Sequence, residues 1–136
     1  MEDCVFCKII KGEIPSTKVY EDEFCFAFLD IEPVNVGHIL VIPKKHVETI
    51  DKMTKEDLCN LNEGILKVSK GILKIADGLN VMQNNRWIAG QEVSHVHFHL
   101  IPRYEGDGYK FNWVRDEGVT EEENKEFLEK FGKFIS

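Results

Sequence analysis

Histidine alternates with an apolar residue from His95 to Leu100, in the stretch SHVHFHLIPR, and this alternation constrains the fold more than any other feature. Side chains alternate between the two faces of a strand, so three imidazoles share one face and three apolar side chains share the other. Neighbouring imidazoles would stand about 6.6 Å apart and the outer two about 13 Å apart. Two neighbours could hold one metal ion, whereas a tetrahedral site formed by all three would be strained.

Short segments rich in β-branched and aromatic residues predict the remaining strands. Two strands are expected across an acidic turn, in TKVYED and EFCFAFLD, and the alternation in the second indicates that both of its faces are covered. A third strand is expected in GHILVIPKKH, with its proline at the end, and a fourth in LNVMQNN. The histidine stretch is then the fifth strand. Before them, the apolar residues of VFCKII predict a short turn or helix.

One long helix is predicted to begin near Thr54 and Asp57, because apolar residues then recur three and four positions apart. These residues are Leu58, Leu61, Ile65, Val68, Ile72 and Ile75. Gly64 and Gly71 share one face of it, which indicates either a close approach by another backbone, such as that of a second subunit, or plain tolerance of glycine. The tail predicts a second helix, with a capping box at Thr120 and Glu123 and with Phe127, Phe131, Phe134 and Ile135 on one side.

Consecutive strands with one long helix inserted predict an α+β fold with a mainly antiparallel, about five-stranded sheet and a C-terminal helix. The 136 residues are expected to form a single domain over 1–136. No apolar run approaches the roughly 20 residues that cross a bilayer. The N-terminal sequence lacks the features of a secretory signal, so a cytoplasmic location is expected.

The chain carries 24 acidic and 17 basic side chains, a net charge of −7, which argues against nucleic acid as a partner. A small phosphorylated ligand is still compatible with this charge, because backbone N–H groups can bind phosphate. In the cytosol the four cysteines would stay reduced. Cys4 and Cys7 are therefore expected to form a metal or redox feature, and Cys25 and Cys59 to be small buried hydrophobic residues.

The histidine row favours chemistry at phosphorus. Neutral imidazole is a good nucleophile and acid–base group near pH 7, and a partner on its second nitrogen fixes the tautomer. Such a row beside phosphate-binding amides would suit phosphoryl or nucleotidyl transfer through a phospho-histidine.

The run from His95 to Ile101 is the His-x-His-x-His-apolar-apolar signature, and on it the chain resembles the histidine triad (HIT) superfamily of nucleotide hydrolases and transferases. The resemblance extends to the blocks CVFCKIIKGEIPSTKVYED, AFLDIEPVNVGHILVIPKKH and GQEVSHVHFHLIPR, in family order. The chain is most similar to the small single-domain branch that resembles adenosine phosphoramidases. The implied fold is the HIT fold, usually as a homodimer.

The resemblance implies a role for particular residues. His97 corresponds to the nucleophile that attacks the α-phosphorus, His99 to a contact with the phosphate and leaving group, and His38 to a histidine that supports the triad. Further positions are implied to bind a purine nucleotide through the ribose, the phosphate and the base: Asp30, Asn84, Gln91, Val93, Phe6, Ile9, Ile14, Phe28 and Ile31. The apolar members of this set also suit an ordinary core.

The resemblance also implies a structural zinc ion held by Cys4, Cys7, His46 and His95, a closed set with no open position for chemistry. No metal is expected to be required for the reaction itself. At Glu92 many members of the family carry Ser, and a carboxylate there would repel phosphate. Glu92 is therefore expected either to point away from the site or to meet a cationic leaving group.

The implied activity is hydrolysis of nucleoside 5'-phosphate derivatives of the adenosine phosphoramidate type through a nucleotidyl-histidine intermediate. Two alternatives are compatible with the same residues. One is hydrolysis of dinucleoside polyphosphates, and the other is a nucleotide-binding interaction module with little turnover.

Overall fold

The computed structural model describes residues 3–110 and 114–135 and contains one five-stranded sheet with the strand order β1-β2-β3-β5-β4. All neighbouring strands pair in the antiparallel sense, as the sequence predicts. The strands are β1 (Lys18–Glu21), β2 (Cys25–Leu29), β3 (Ile39–Pro43), β4 (Gly78–Gln83) and β5 (Phe98–Arg103). The helices are α1 (Val5–Ile10), α2 (Lys55–Ile72) and α3 (Glu121–Phe131).

The central strands are covered on both faces, and their alternation decides which side chain meets which helix. In β2, Cys25 and Ala27 face α2, whereas Phe26 and Phe28 face α1. On the α2 side the core contains Leu61, Ile65, Val68 and Ile72 of the helix with Val41, Val96 and Leu100 of the sheet side. On the α1 side it contains Phe6 and Ile9 with Leu40 and Ile42. The sheet is therefore sandwiched between a long helix and a very short one.

Helix α2 begins where it was predicted, because the Thr54 side chain caps it by accepting a hydrogen bond from the Asp57 N–H at 3.0 Å. Its end was predicted too late. The helix ends at Ile72, and Ile75 lies beyond it with 82% of its surface exposed. The burial of Cys59 was also predicted wrongly, because the helix turns this cysteine toward solvent, whereas Cys25 is completely buried as expected.

The two glycines of α2 have different surroundings. A Cβ atom at Gly64 would overlap the sulfur of the buried Cys25, whereas a Cβ atom at Gly71 would have nothing within 4 Å. The close approach at Gly64 is therefore made by a strand of the same chain. Gly71 is exposed and meets no such neighbour.

Alanine at these two glycines is expected to change stability in opposite directions. G64A should lower the free energy of unfolding by about 2 kcal/mol, because overpacking against a buried sulfur forces the helix or the strand to shift. G71A should raise it by up to about 1 kcal/mol through helix propensity alone. Urea titration of both variants and the wild type measures this. Equal effects at the two positions would contradict the assigned contact.

Helix α3 begins with the predicted capping box between Thr120 and Glu123. The rings of Phe127 and Phe131 stack with their centroids 5.8 Å apart on its outer surface. Both remain substantially exposed, as do Phe134 and Ile135 after the helix. The apolar side predicted for this tail is thus present, and within the described residues no buried core forms around it.

Within the described residues, none of the helices combines the length and the apolar composition that crossing a membrane requires.

Candidate active site and metal centre

Of the three histidines of the triad, His95 and His97 precede β5 and His99 lies within it, and the three divide between two surroundings. His95 is completely buried beneath the N-terminal helix, whereas His97 and His99 line cavities on the α1 face of the sheet. Val96 and Leu100 point to the opposite face and join the α2 core. The predicted alternation is therefore confirmed, although the regular strand begins only at Phe98.

The position of the proton on His97 follows from one hydrogen bond. His97 Nδ1 lies 2.7 Å from the carbonyl oxygen of His95. A carbonyl oxygen can only accept, so Nδ1 carries the proton and Nε2 keeps its lone pair. Phe6 packs edge-on against the same ring, with the centroids 5.0 Å apart. The ring is thus held from two sides with a nucleophilic nitrogen left unoccupied.

His38 and His99 form a second chain of fixed tautomers. The Val34 N–H donates to His38 Nδ1 at 3.0 Å, so a neutral His38 carries its proton on Nε2. This Nε2–H donates to His99 Nδ1, also at 3.0 Å, which places the proton of a neutral His99 on its Nε2. A carboxylate oxygen of Asp30 lies 3.6 Å from His38 Nε2. The structure therefore presents His97 as a lone-pair donor and His99 as an N–H donor.

Burial keeps these imidazoles neutral. Desolvation lowers the pKa of His97 and of His38 below the ordinary value, opposed in both by the charge of Asp30. Desolvation also lowers the pKa of His99 to about 4, with neighbouring His97 and His38 acting in the same direction. At neutral pH the triad is uncharged, which is the form that a nucleophile requires.

The low pKa of His99 predicts a pH-dependent loss of stability. Between the ordinary value of 6.5 and about 4, the unfolded chain binds a proton that the folded chain does not. Stability therefore falls as the pH falls through this window, by about 3 kcal/mol. In H99Q this contribution should be absent. Urea titrations of the wild type and H99Q at pH 7 and pH 4 measure it, and a parallel decrease in both proteins would contradict it.

An apolar cavity of about 270 Å³ opens beside His97 and His99. Its lining includes five apolar residues that were predicted to form the base slot: Phe6, Ile9, Ile14, Phe28 and Ile31. Phe6 and Phe28 meet edge to face with the ring centroids 5.6 Å apart. Ile31 is 90% exposed, so it lies at the mouth, and Asp30 beside it lines both this cavity and the neighbouring polar one. The slot is a concave apolar surface adjoining the histidines.

The residues predicted to contact phosphate do not all reach the cavities. Asn84 lines the polar cavity with His38, His97 and His99, and Val93 lines the apolar one. Gln91 lies in neither lining, and both polar atoms of its buried side chain form a hydrogen bond within the protein. Its Oε1 accepts from the Arg86 N–H and its Nε2 donates to the Glu48 carbonyl, both at 2.6 Å. These bonds tie the Gln91 side chain to the neighbouring loops, and its contact with a nucleotide stays a prediction.

Glu92 lies at the edge of the site, near enough for its charge to oppose the lowering of the pKa of His97. It lines the apolar cavity, the polar cavity and a third cavity that it shares with Cys4, His46 and Glu48. The sequence left two orientations open for this carboxylate, and the residue lines the same two cavities as His97 and His99.

Cys4, Cys7, His46 and His95 lie close enough to bind one metal ion, with their ligand atoms all within 4.8 Å of one another. His95 Nε2 donates to the Pro43 carbonyl at 2.8 Å, which leaves a lone pair on Nδ1. That atom lies 3.5 Å from Cys4 Sγ and 3.6 Å from Cys7 Sγ. The Cys7 N–H donates to Cys4 Sγ at 3.4 Å, which holds this sulfur at the start of α1.

Asp30, His38 and His99 form a second, three-residue cluster of possible ligands, but its hydrogen bonds oppose a metal ion. The Val34 N–H occupies the lone pair of His38 Nδ1, so the proton stays on the nitrogen that would have to bind the metal. The Nε2–H is instead satisfied by His99. This cluster is organised for hydrogen bonding.

Tyr109 is a cavity residue that the sequence did not reveal. It lines the polar cavity, and its ring lies under the Arg103 guanidinium, 4.4 Å from the ring centroid. Arg103 also donates to the Tyr109 carbonyl and to both carboxylate oxygens of Asp107. No spacing or composition signal marks Tyr109, because it reaches the site through a turn that Asp107 holds.

The chain is similar to known proteins along most of its length. The family model described as the HIT domain matches residues 11–106. A HIT-like protein of Methanocaldococcus jannaschii is 54% identical, over 87% of this chain and 94% of that protein. The adenosine 5'-monophosphoramidase HNT1 of Saccharomyces cerevisiae is 47% identical, over 84% and 72%. A crystal structure of a HIT family protein from Bacillus subtilis superposes with a TM-score of 0.87 at 41% identity, covering 98% of both chains. The chain belongs to the HIT domain family.

Proposed function

We propose that the protein hydrolyses nucleoside 5'-phosphoramidates, releasing a nucleoside 5'-monophosphate and an amine. The observation that carries the proposal is the fixed tautomer of His97. Its Nδ1 carries the proton, its Nε2 keeps a lone pair, and the residue lines both cavities. The apolar slot beside it suits a purine, and Asp30 at the junction suits the two ribose hydroxyls. Relatives named adenosine 5'-monophosphoramidase support the same reaction class.

In the first step His97 Nε2 attacks the α-phosphorus. The N–P bond forms, the bond from phosphorus to the amine breaks, and the amine leaves with that electron pair and one proton taken up from solvent. The imidazole then bears phosphorus on Nε2 and a proton on Nδ1, which makes it cationic. The His95 carbonyl at 2.7 Å accepts from Nδ1 and stabilises this charge.

In the second step water attacks the same phosphorus. The Nε2–P bond breaks, its electron pair returns to the imidazole, and the proton lost by water goes back to solvent. His99 is suited to contact the phosphate or the departing group, because its Nε2–H is fixed by the chain from Val34 through His38. Both steps use groups of the chain itself, and the proton taken up first is released last.

The charge of the cavities favours phosphoramidates over dinucleoside polyphosphates. The described residues that line the apolar and polar cavities include Asp30, Glu32 and Glu92 but no Lys or Arg. One phosphate charge can be met by imidazole and backbone N–H groups. The several charges of a polyphosphate bridge would face three carboxylates without a cationic side chain.

A substrate panel with mass spectrometry tests the proposed function. AMP release is measured from adenosine 5'-phosphoramidate and from diadenosine tetraphosphate under the same conditions, and acid-sensitive adducts are sought on the peptide containing residues 94–103. Faster turnover of the phosphoramidate, with an adenylyl group on His97, is expected. Faster turnover of the polyphosphate would favour the alternative enzyme, and tight binding of AMP without turnover of either would favour a binding module.

We further propose that the metal bound by Cys4, Cys7, His46 and His95 is zinc. A tetrahedral zinc site with two thiolates and two imidazoles has S···N separations of about 3.6 Å. The corresponding separations here are 3.3, 3.5 and 3.6 Å, so the donors already lie at the required spacing. With four protein ligands the ion would have no open position. It would stabilise structure by joining α1 to His46, which follows β3, and to His95, two residues before the nucleophile.

A homodimer and a cytoplasmic location are also proposed. The exposed apolar side of α3, with Phe127 and Phe131, is a surface that a second subunit could cover. Sedimentation of the purified protein tests the dimer, and a monomer at micromolar concentration would exclude it.

A further inference from the structure

Glu92 stands where three cavities meet. It lines the two cavities that contain His97 and His99, and also the third, which contains Asp3, His46 and Glu48. Glu92 is exposed to solvent, so it adds a hydrated carboxyl group to this junction. A leaving group that extends from the histidines toward the third cavity would lie near this residue.

The surroundings of Glu92 are acidic on both sides. The described residues that line the three cavities include five carboxylates, Asp3, Asp30, Glu32, Glu48 and Glu92, and no Lys or Arg. Two of these five have partners within the chain. Asp30 accepts from the Glu32 N–H and lies near His38, and Glu48 meets Lys52 at 3.1 Å. Glu92 adds a charge at the junction itself, where it adjoins the reacting group.

A carboxylate at this position has opposite effects on different leaving groups. It cannot donate a hydrogen bond to phosphate when ionised, and it repels an anion that leaves past it. It attracts a cation. This attraction can lower the barrier of the reaction only when the cation is part of the substrate and is therefore present in the transition state. The net effect of Glu92 is favourable for one class of substrate and unfavourable for the rest.

We infer that Glu92 is a specificity-determining residue that selects phosphoramidates whose leaving amine carries a further positive charge, as in a diamine or a basic amino-acid side chain. The inference rests on the proposed function and defines its substrate class. The amine nitrogen bonded to phosphorus lies at the histidines, and the distal ammonium lies toward Glu92 and the acidic cavity beyond it.

The test compares two adenosine 5'-phosphoramidates of nearly equal size, one bearing an n-pentyl group and one a 4-aminobutyl group. The wild type should show a kcat/KM for the aminobutyl substrate at least about fivefold above that for the pentyl substrate. In E92Q this ratio should fall toward one while the pentyl substrate is still hydrolysed. High salt should reduce the ratio in the wild type as well. E63Q, which removes one exposed charge from α2, is the matched control and should keep the wild-type ratio.

An unchanged ratio in E92Q overturns the inference, and hydrolysis of the pentyl substrate in the same assay shows that the proposed function stands. Binding decides the matter if neither compound is hydrolysed. Calorimetry with the H97A variant then measures whether the aminobutyl compound binds more tightly and whether adding E92Q removes the difference. Equal binding of the two compounds to H97A also overturns the inference.

Discussion

Replacing His97 by alanine is expected to lower kcat for AMP release from adenosine 5'-phosphoramidate by at least about 10⁴-fold. His97 supplies the lone pair that forms the bond to phosphorus. Within the described residues, no other triad imidazole both lines the two cavities and keeps an unoccupied lone pair. His99 Nδ1 is occupied by His38, and His95 faces the thiols. Single-turnover kinetics at saturating substrate measures the loss.

H99A is the matched control for this variant. It removes a second imidazole from the same cavities but leaves the nucleophile, so kcat should fall by a smaller factor, about 10² to 10³. The adenylyl adduct should still form on the peptide of residues 94–103 in H99A and should be absent in H97A. Retention of substantial turnover in H97A, with an unaltered circular dichroism spectrum, would refute the assignment of the nucleophile.

Loss of the metal is expected to have the second largest effect. Cys7 and the apolar-slot residues Phe6 and Ile9 belong to the same six-residue helix, α1. Without the ion, so short a helix keeps only its packing on the sheet, and several kcal/mol of stability should be lost. The melting temperature of C7S, or of protein treated with chelator, should fall by about 10 °C or more. The increase in KM should be larger than the decrease in kcat, because Phe6 and Ile9 of α1 form one side of the apolar slot that is proposed to bind the base.

C59S provides the control, since Cys59 is exposed on α2 and remote from both clusters. Its metal content, melting temperature and KM should equal those of the wild type. Metal analysis should find about one zinc ion per chain in the wild type and C59S and much less in C7S, and added zinc should restore the chelated wild type and C59S but not C7S. Zinc-free protein with an unchanged melting temperature would contradict the structural role.

Local patterns were sufficient to predict most of the framework. Alternation placed Val96 and Leu100 in the core, periodicity and a cap placed the start of α2, and the spacing of Thr120 and Glu123 placed the capping box. Each depends on residues that are neighbours along the chain. The end of α2 was missed because Ile75 continues the apolar spacing after the backbone has left the helix.

Contacts between distant residues were beyond the sequence. Cys59 directly follows Leu58, so helical spacing places it on a different face of α2 from the core. The prediction gave more weight to the general tendency of cysteine to be buried. The match of Gln91 to a family block did not show that its amide would bond inward to Glu48. Glu92 directly follows the residue that makes this bond and lines the cavities beside it. The contact of Gly64 with Cys25 joins residues 39 positions apart.

The acceptor that fixes the tautomer of His97 is a main-chain atom, the carbonyl oxygen of His95. Alanine scanning would not remove it, because every substitution at position 95 retains the carbonyl. Semisynthesis could weaken it by replacing the amide between His95 and Val96 with an ester, at the cost of the Val96 N–H that donates to Val47. A mutation can break this hydrogen bond only by displacing the backbone at His95. Most single substitutions near His97 should therefore leave its tautomer unchanged, whereas loss of the interactions that position the backbone at His95 should change it.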